Sequence, residues 1–303
     1  ACGESPYQSE IELWSYKTDL LEAPDLSDVE HIQWGNIHEP AIVRETCRRE
    51  GLTLLDPKDA AARLSGCPDL EILGLVEGRQ LFFRSKLHPW MSATLDGIAV
   101  LGHRTETLVA IEAKSTGEWH ASEWAEGAYP EHHRLQVTHQ LAVVTPIQYG
   151  LLAGLIGGNK LRIAPALSRD AAPIEALVAV EREFWRRVVE EDAPEADGSP
   201  SSARTLKLLH PDDNGESVVL PEEFCALHDE VLRLGALATK YSDEYEALRT
   251  RIKGFLGKNT FGVLPNGRGT YCFKTSERAG YTVAPGKQRK LTFSAPKTTK
   301  ARK

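Results

Sequence analysis

One carboxylate at a tight turn, followed by a Glu-x-Lys on the next extended run, constrains this chain more than any other feature. The carboxylate is Asp96 in Ala93-Thr94-Leu95-Asp96-Gly97, and the second motif is Glu112-Ala113-Lys114. Between them lie two short apolar runs, 98–101 and 108–111, separated by the polar stretch 102–107. Such runs around a polar turn predict a β-hairpin. Side chains alternate faces along a strand, so Glu112 and Lys114 point the same way. Closing the hairpin brings Asp96, at its mouth, to Glu112 and Lys114 near its exit. Two carboxylates in one pocket repel unless a cation sits between them, and hard oxygen ligands with open positions suit Mg²⁺, with Mn²⁺ as a substitute. The lysine has a matching task, to orient or help deprotonate an attacking water and to offset charge building on a phosphate. In outline this is a phosphodiester-cutting site. The same residue types also serve ordinary proteins as a turn cap and a solvated strand face.

The surrounding segments separate those two readings. Leu87-His88-Pro89-Trp90-Met91-Ser92-Ala93-Thr94-Leu95-Asp96-Gly97 resembles the strand that delivers the first acid of the PD-(D/E)XK nucleases, and Glu112-Ala113-Lys114 is similar to their E-x-K. Trp34-Gly35-Asn36-Ile37-His38-Glu39 is similar to the W-G-x-x-x-E helix segment of phage-type exonucleases. Gln136-Val137-Thr138-His139-Gln140 is similar to the helix that follows their catalytic strands. From about residue 3 to residue 189 the chain resembles the YqaJ-like viral recombinase family, relatives of phage lambda exonuclease, with 155–159 and 183–189 as further matching pieces.

That resemblance implies an α/β fold with a PD-(D/E)XK restriction-endonuclease-like core, a central mixed sheet flanked by helices. It makes Asp96 and Glu112 the principal metal ligands, adds the backbone carbonyl of Ala113, and supplies Glu39 from a helix as a further carboxylate. Lys114 takes the water-activating role, and Gln136 holds Lys114 or the water. His139 and Gln140 are read as structural. The opening residues 1–8 resemble the stretch just after the small-residue, Ser-containing turn of family members, so no 5′-phosphate pocket is assigned here. The implied activity is Mg²⁺-dependent 5′ to 3′ digestion of one strand of duplex DNA from its ends. The 3′ single strand left behind serves a single-strand annealing protein in phage-type recombination, and a ring of three subunits is the expected oligomer. A restriction- or repair-type endonuclease would use the same acids and lysine, and a non-catalytic DNA-binding scaffold is the alternative from another class.

The formal net charge of −7 argues at first against nucleic acid, but its distribution does not. Residues 287–303, which include Lys287, Arg289 and Lys290, carry +7 and no acid, leaving −14 on the rest. A basic tail of this kind can hold phosphates in a salt-sensitive way, or act only as a solubilising end. Trp119, Trp124 and Tyr129 lie between the catalytic strand and the following helix; aromatic faces stack on bases, so these residues are candidates for parting the terminal base pair, with core packing as the plainer role. His132, His133 and Arg134 precede Gln136 and are candidates to meet the scissile phosphate.

At 303 residues the chain exceeds the usual single-domain size. The boundaries read as a nuclease core over 1–190, a linker over 191–203 without apolar periodicity, and a C-terminal helical and β-hairpin appendage with a basic tail over 204–303. In that appendage Phe224, Leu227, Val231, Leu234, Ala238, Tyr241, Tyr245, Leu248, Ile252 and Phe255 recur at steps of three and four residues, which predicts one long helix. A hairpin follows, turning at Asn266-Gly267. The longest apolar stretch, 149–156, is too short to cross a bilayer and reads as a core strand. With no signal-peptide pattern, a cytoplasmic protein without a membrane partner is expected. The five cysteines are scattered, without zinc or iron-sulfur spacing, and no Walker loop is present.

Overall fold

The computed structural model describes residues 2–102, 107–125, 128–277 and 291. It divides into two compact units, 1–210 and 211–303. The first unit begins with helix α1 (Glu10–Lys17) and the long helix α2 (Glu30–Glu50), which stops at Gly51 in the left-handed conformation, φ 65°. Strand β1 (Leu52–Leu54) and helix α3 (Pro57–Leu64) follow, then a meander of β2 (Leu70–Val76), β3 (Gln80–Ser85) and β4 (Ser92–Leu95). Strands β5 (Gly97–Leu101) and β6 (Thr107–Thr116) form the expected hairpin, pairing Gly97 with Ile111 and Leu101 with Thr107; residues 103–106 of its turn lie outside the described residues.

From β6 the chain runs through a 3-10 turn (Glu118–Trp124) and helix α4 (Glu131–Val143) into β7 (Tyr149–Ile156), which lies parallel to β6. A parallel neighbour cannot be reached by a tight turn, so a crossover is obligatory, and α4 is its helix. Strands β8 (Lys160–Ile163) and β9 (Leu167–Ser168) both pair antiparallel with β7. Helices α5 (Ala171–Val189) and α6 (Pro200–Leu209) complete the unit. The main sheet has the order β1-β5-β6-β7-β8, and β2-β3-β4 form a separate antiparallel sheet.

The main sheet is covered on both faces, which explains why β6 and β7 read as nearly continuous apolar runs. On one face Ile42, Val43 and Cys47 of α2 pack on Ala99, Ile111, Ala113 and Ala153. On the other, Val137 and Leu141 of α4 join Ile98, Ala110 and Leu152 in a larger core that also takes in Phe83, Met91 and Leu95 of the small sheet. All five cysteines are free thiols. Among the described residues no helix is long and apolar enough to cross a membrane.

The segment expected to be a linker is only partly one. Residues 193–197 lack regular structure, but Ser199 caps α6, and its Ser201, Ser202 and Thr205 are buried. Ser201 bonds back to Ser9, at the start of α1, across 192 residues. The stretch reads as a linker for want of apolar periodicity, whereas the Ser201 hydroxyl here joins two helices, and the first compact unit runs to His210.

The second unit holds the predicted long helix, α7 (Glu223–Leu256), and the predicted hairpin, β10 (Phe261–Val263) with β11 (Thr270–Cys272). Asn266 and Gly267 both have positive φ, at 58° and 68°, as a tight turn at that dipeptide requires. The stripe residues Leu227, Val231, Tyr241, Tyr245 and Leu248 of α7 are exposed. The basic residues Lys287, Arg289 and Lys290 lie outside the described residues.

Candidate active site

Asp96 occupies the single position between β4, in the small sheet, and β5, in the main one. Leu95 still pairs with Leu81 and Gly97 already pairs with Ile111. Strand β6 runs on past Ile111 with no partner residue on the β5 side. The Ala113 N–H exposed by that overhang is taken by Asp96 Oδ2 at 2.9 Å. Changing sheets thus aims the carboxylate at the strand that carries Glu112 and Lys114. Gly97 is part of this geometry, because a Cβ there would stand 2.6 Å from Val43 Cγ1 of α2. Its absence lets α2 lie close over the turn.

Glu112 is 2% exposed, which for a carboxylate demands partners. Its Oε1 lies 2.5 Å from Lys114 Nζ and accepts from Gln136 Nε2 at 2.7 Å. Its Oε2 accepts from Gln140 Nε2 at 2.5 Å. Lys114 is one-quarter exposed, so the ammonium reaches from the buried acid towards solvent. Gln136 sits on Glu112 and not on Lys114, which corrects half of the expectation for it: its amide steadies the acid.

Glu39, on the inward face of α2, is buried and bonded to two residues that sequence reasoning had not singled out. Arg79 Nη1 lies 2.5 Å from Glu39 Oε1. Gln80 Nε2 donates to Glu39 Oε1 and to Asp96 Oδ1, both at 2.9 Å, and so bridges the two acids. Three carboxylates therefore stand in one neighbourhood, and their proton affinities record it. Burial, then the charge of Glu112, pushes Asp96 well above the ordinary carboxylate range, with Glu39 adding and the Ala113 N–H and Lys114 opposing. Burial also raises Glu39, against the pull of Arg79 and Gln80. Among the described residues no three His, Cys, Asp or Glu side chains close a metal shell by themselves. What the geometry provides is two acids from adjoining strands, a third beside them, and a lysine.

The other sequence candidates are placed less centrally. Trp124 is 3% exposed and belongs to the core, whereas Trp119 is 92% exposed on the turn after β6. Tyr129 packs partly buried against the core. His133 is sandwiched between His132 and Trp124, with ring centroids 4.0 and 6.1 Å away. Burial, then Lys114 and His132, pushes its imidazole down to about 3, so it is neutral. Arg134 is held by Glu131 of its own helix, Nε to Oε2 2.7 Å, which removes it from the set of free phosphate ligands. Gln140, read as structural, touches Glu112 directly and is 3% exposed. The signal for it was available, since it stands four residues from Gln136 on a helix and shares its face. Gln80 and Arg79 carried none, because only the pairing of β3 with β4 brings them to Asp96.

An Asp at the end of one strand and a Glu-x-Lys on its hydrogen-bonded neighbour, in a mixed sheet covered by helices, define the PD-(D/E)XK class of core. More narrowly, residues 1–147 match the model of the YqaJ-like viral recombinase domain. A relative is the uncharacterized protein YqaJ of Bacillus subtilis (strain 168), 23% identical over 267 residues, which span 87% of this chain and 75% of that protein. Among solved structures, an alkaline exonuclease (LHK-Exo) from Laribacter hongkongensis superposes with a TM-score of 0.39 and 16% identity, covering 60% of this chain and 78% of that one.

Proposed function

We propose that this protein is a divalent-metal-dependent deoxyribonuclease that digests duplex DNA from its ends, 5′ to 3′, leaving a 3′ single strand for an annealing partner in phage-type recombination. The observation that carries the reading is the convergence of Asp96, Glu112 and Lys114 from two adjoining strands, with Glu39 and Gln136 around them. The match of residues 1–147 to a viral recombinase domain supports the recombination role. The donor set fits a hard cation such as Mg²⁺, or Mn²⁺ in its place. Asp96, Glu112, Glu39 and the Ala113 carbonyl are its ligands in this reading, and the proton affinity of Asp96 is raised by burial and by the charge of its neighbour Glu112. Gln140 Oε1, buried without a protein donor, is an acceptor beside Glu112 for a water of the hydrated ion.

When bound, the cation supplies positive charge that offsets the charge developing on the phosphate. The chain's own groups do the rest. Lys114 holds the attacking water by its ammonium and meets the approaching negative charge, because its ammonium reaches towards solvent from beside Glu112. Gln136 and Gln140 hold both oxygens of Glu112, so the carboxylate does not rotate as charge shifts. In-line attack of water on phosphorus needs this positioning more than covalent help. In this reading Trp119, exposed beyond the end of the catalytic strand, stacks on a base as the duplex opens. The basic residues Lys287, Arg289 and Lys290 add salt-sensitive contact with phosphates. A homotrimer working in the bacterial cytoplasm completes the proposal.

The test is digestion of linear duplex DNA labelled at one 5′ or one 3′ end, with Mg²⁺ or EDTA, beside a closed circular control. Metal-dependent loss of the 5′ label as mononucleotide, an intact circle, and loss of activity by about 10²–10⁴-fold in Lys114→Ala are expected. Cut circles would instead establish an endonuclease, and no cleavage by the wild type under any condition would leave a binding scaffold.

A further inference from the structure

Helix α4 has a second role, at the edge of the strand that leads to Asp96. Among the described residues β4 pairs with β3 on one side only. Met91 O accepts from Ser85 N at 3.0 Å across that pairing, so alternation turns the carbonyls of Ser92 and Thr94 to the opposite, strandless side. Side chains of α4 meet them there. His139 Nε2 lies 2.9 Å from Ser92 O, and Gln140 Nε2 donates to Thr94 O at 3.2 Å. Two consecutive side chains thus replace the missing strand.

Both are tied at their other ends. His139 Nδ1 lies 2.7 Å from Glu181 Oε1 of α5. An imidazole between a carboxylate and a carbonyl is a donor at both nitrogens and therefore charged. Burial opposes that charge, and the bonds to Glu181 and Ser92 outweigh it. Gln140 gives its amide group to Glu112 Oε2 as well as to Thr94 O. The amide orientation follows from chemistry, since both partners only accept. One side chain therefore spans the second acid and the backbone two residues before the first. Gln136 is different, because its bond reaches Glu112 alone.

We propose that Gln140, braced by His139, is a positioning residue that sets Asp96 against Glu112 and thereby sets the affinity of the acidic pair for a divalent cation. The inference rests on the reading of this site as a metal centre. Removing Gln136 loosens one acid, whereas removing Gln140 frees both the Glu112 carboxylate and the strand that holds Asp96.

The experiment is titration of the metal-free, full-length protein with Mn²⁺, reading free Mn²⁺ by electron paramagnetic resonance. Wild type is compared with Gln140→Met, which keeps the side-chain length and loses both donor contacts, and with His139→Gln. Val178→Ala, a buried change on α5, is the control for stability lost without contact with either acid. Gln140→Met is expected to bind Mn²⁺ at least about tenfold more weakly, as loss of a residue supporting a metal ligand does, with His139→Gln shifted less and Val178→Ala unshifted. Unchanged Mn²⁺ affinity in Gln140→Met, or an equal loss in Val178→Ala, overturns the positioning role while leaving the nuclease reading intact if the wild type cleaves DNA. A wild type that neither binds Mn²⁺ nor cleaves overturns the metal centre and this inference with it.

Discussion

Replacing Asp96 with Asn is expected to stabilise the metal-free protein at alkaline pH while abolishing its stabilisation by Mg²⁺. Asp96 is held above its ordinary proton affinity by burial and by the charge of Glu112. In the unfolded chain it titrates normally, so the folded protein binds a proton that the unfolded one has released. Stability is therefore greatest below the unfolded pKa and is lost as the pH rises through the folded one. The rise of Asp96 to about 8 corresponds to roughly 5–6 kcal/mol withheld at pH 8.5. Asn keeps an acceptor for the Ala113 N–H, but its own amide then faces Gln80 Nε2, which donates to both Asp96 and Glu39. That lost bond costs about 1 kcal/mol. The net gain is about 4–5 kcal/mol, or about 8–20 °C in Tm, for the Asn variant in EDTA at pH 8.5. Near pH 4 the gain vanishes and the lost Gln80 bond leaves the variant slightly the weaker. Mg²⁺ at a hundredfold excess over its Kd raises the wild type by about 2.7 kcal/mol and the variant not at all, narrowing the gap between them. Thermal melts at pH 4, 7 and 8.5, each in EDTA and in Mg²⁺, read every part of this. An Asn variant less stable than wild type in EDTA at pH 8.5, or one stabilised equally by Mg²⁺, would refute the reasoning.

Gly97→Ala places a methyl 2.6 Å from Val43 Cγ1, and a β-branched neighbour yields poorly; urea denaturation should report a loss of about 1–3 kcal/mol, with weaker cleavage as α2 and Glu39 are pushed from Asp96. Trp124→Ala empties a core position and should cost about 3–5 kcal/mol in the same assay. Trp119→Ala should change stability by less than about 0.5 kcal/mol but lower digestion of duplex relative to single-stranded DNA; an unchanged ratio would remove Trp119 from strand handling. Because His133 is already neutral across the working range, His133→Asn should leave the pH dependence of cleavage unshifted between pH 5 and 8, as initial rates on labelled duplex would show.

Much of the centre was legible because it is local. The hairpin 97–116 needs only two apolar runs and a polar turn, and strand alternation then puts Glu112 and Lys114 on one face. The long helix and its following turn were legible for the same reason, as periodicity and an Asn-Gly dipeptide act over a few residues. Glu39 and Gln136 depended on the motif resemblance, since an acid or an amide on a helix has no local mark of its destination. Gln80 was hidden because its role comes from the register of β3 on β4. The reading of 191–203 has a similar limit: Ser201 looks like a linker residue until Ser9 and Glu12 at α1, nearly two hundred positions earlier, supply its partners. Trp124 and Trp119, five residues apart, could not be sorted into core and surface without the turn that separates them.

The parallel pairing of β6 with β7 also governs when the chain becomes chemically competent. Asp96, Glu112 and Lys114 lie within 19 residues of one another, so the hairpin can close early and cheaply. Gln136 and Gln140 arrive only when the crossover helix docks, a non-local step that carries loop-closure cost and is slow by comparison. A nascent or locally opened chain with α4 undocked therefore has its acids near each other but unrestrained. On the proposed function, cleavage waits for folding to be complete, and a fragment or frayed molecule lacks the braces that hold Glu112.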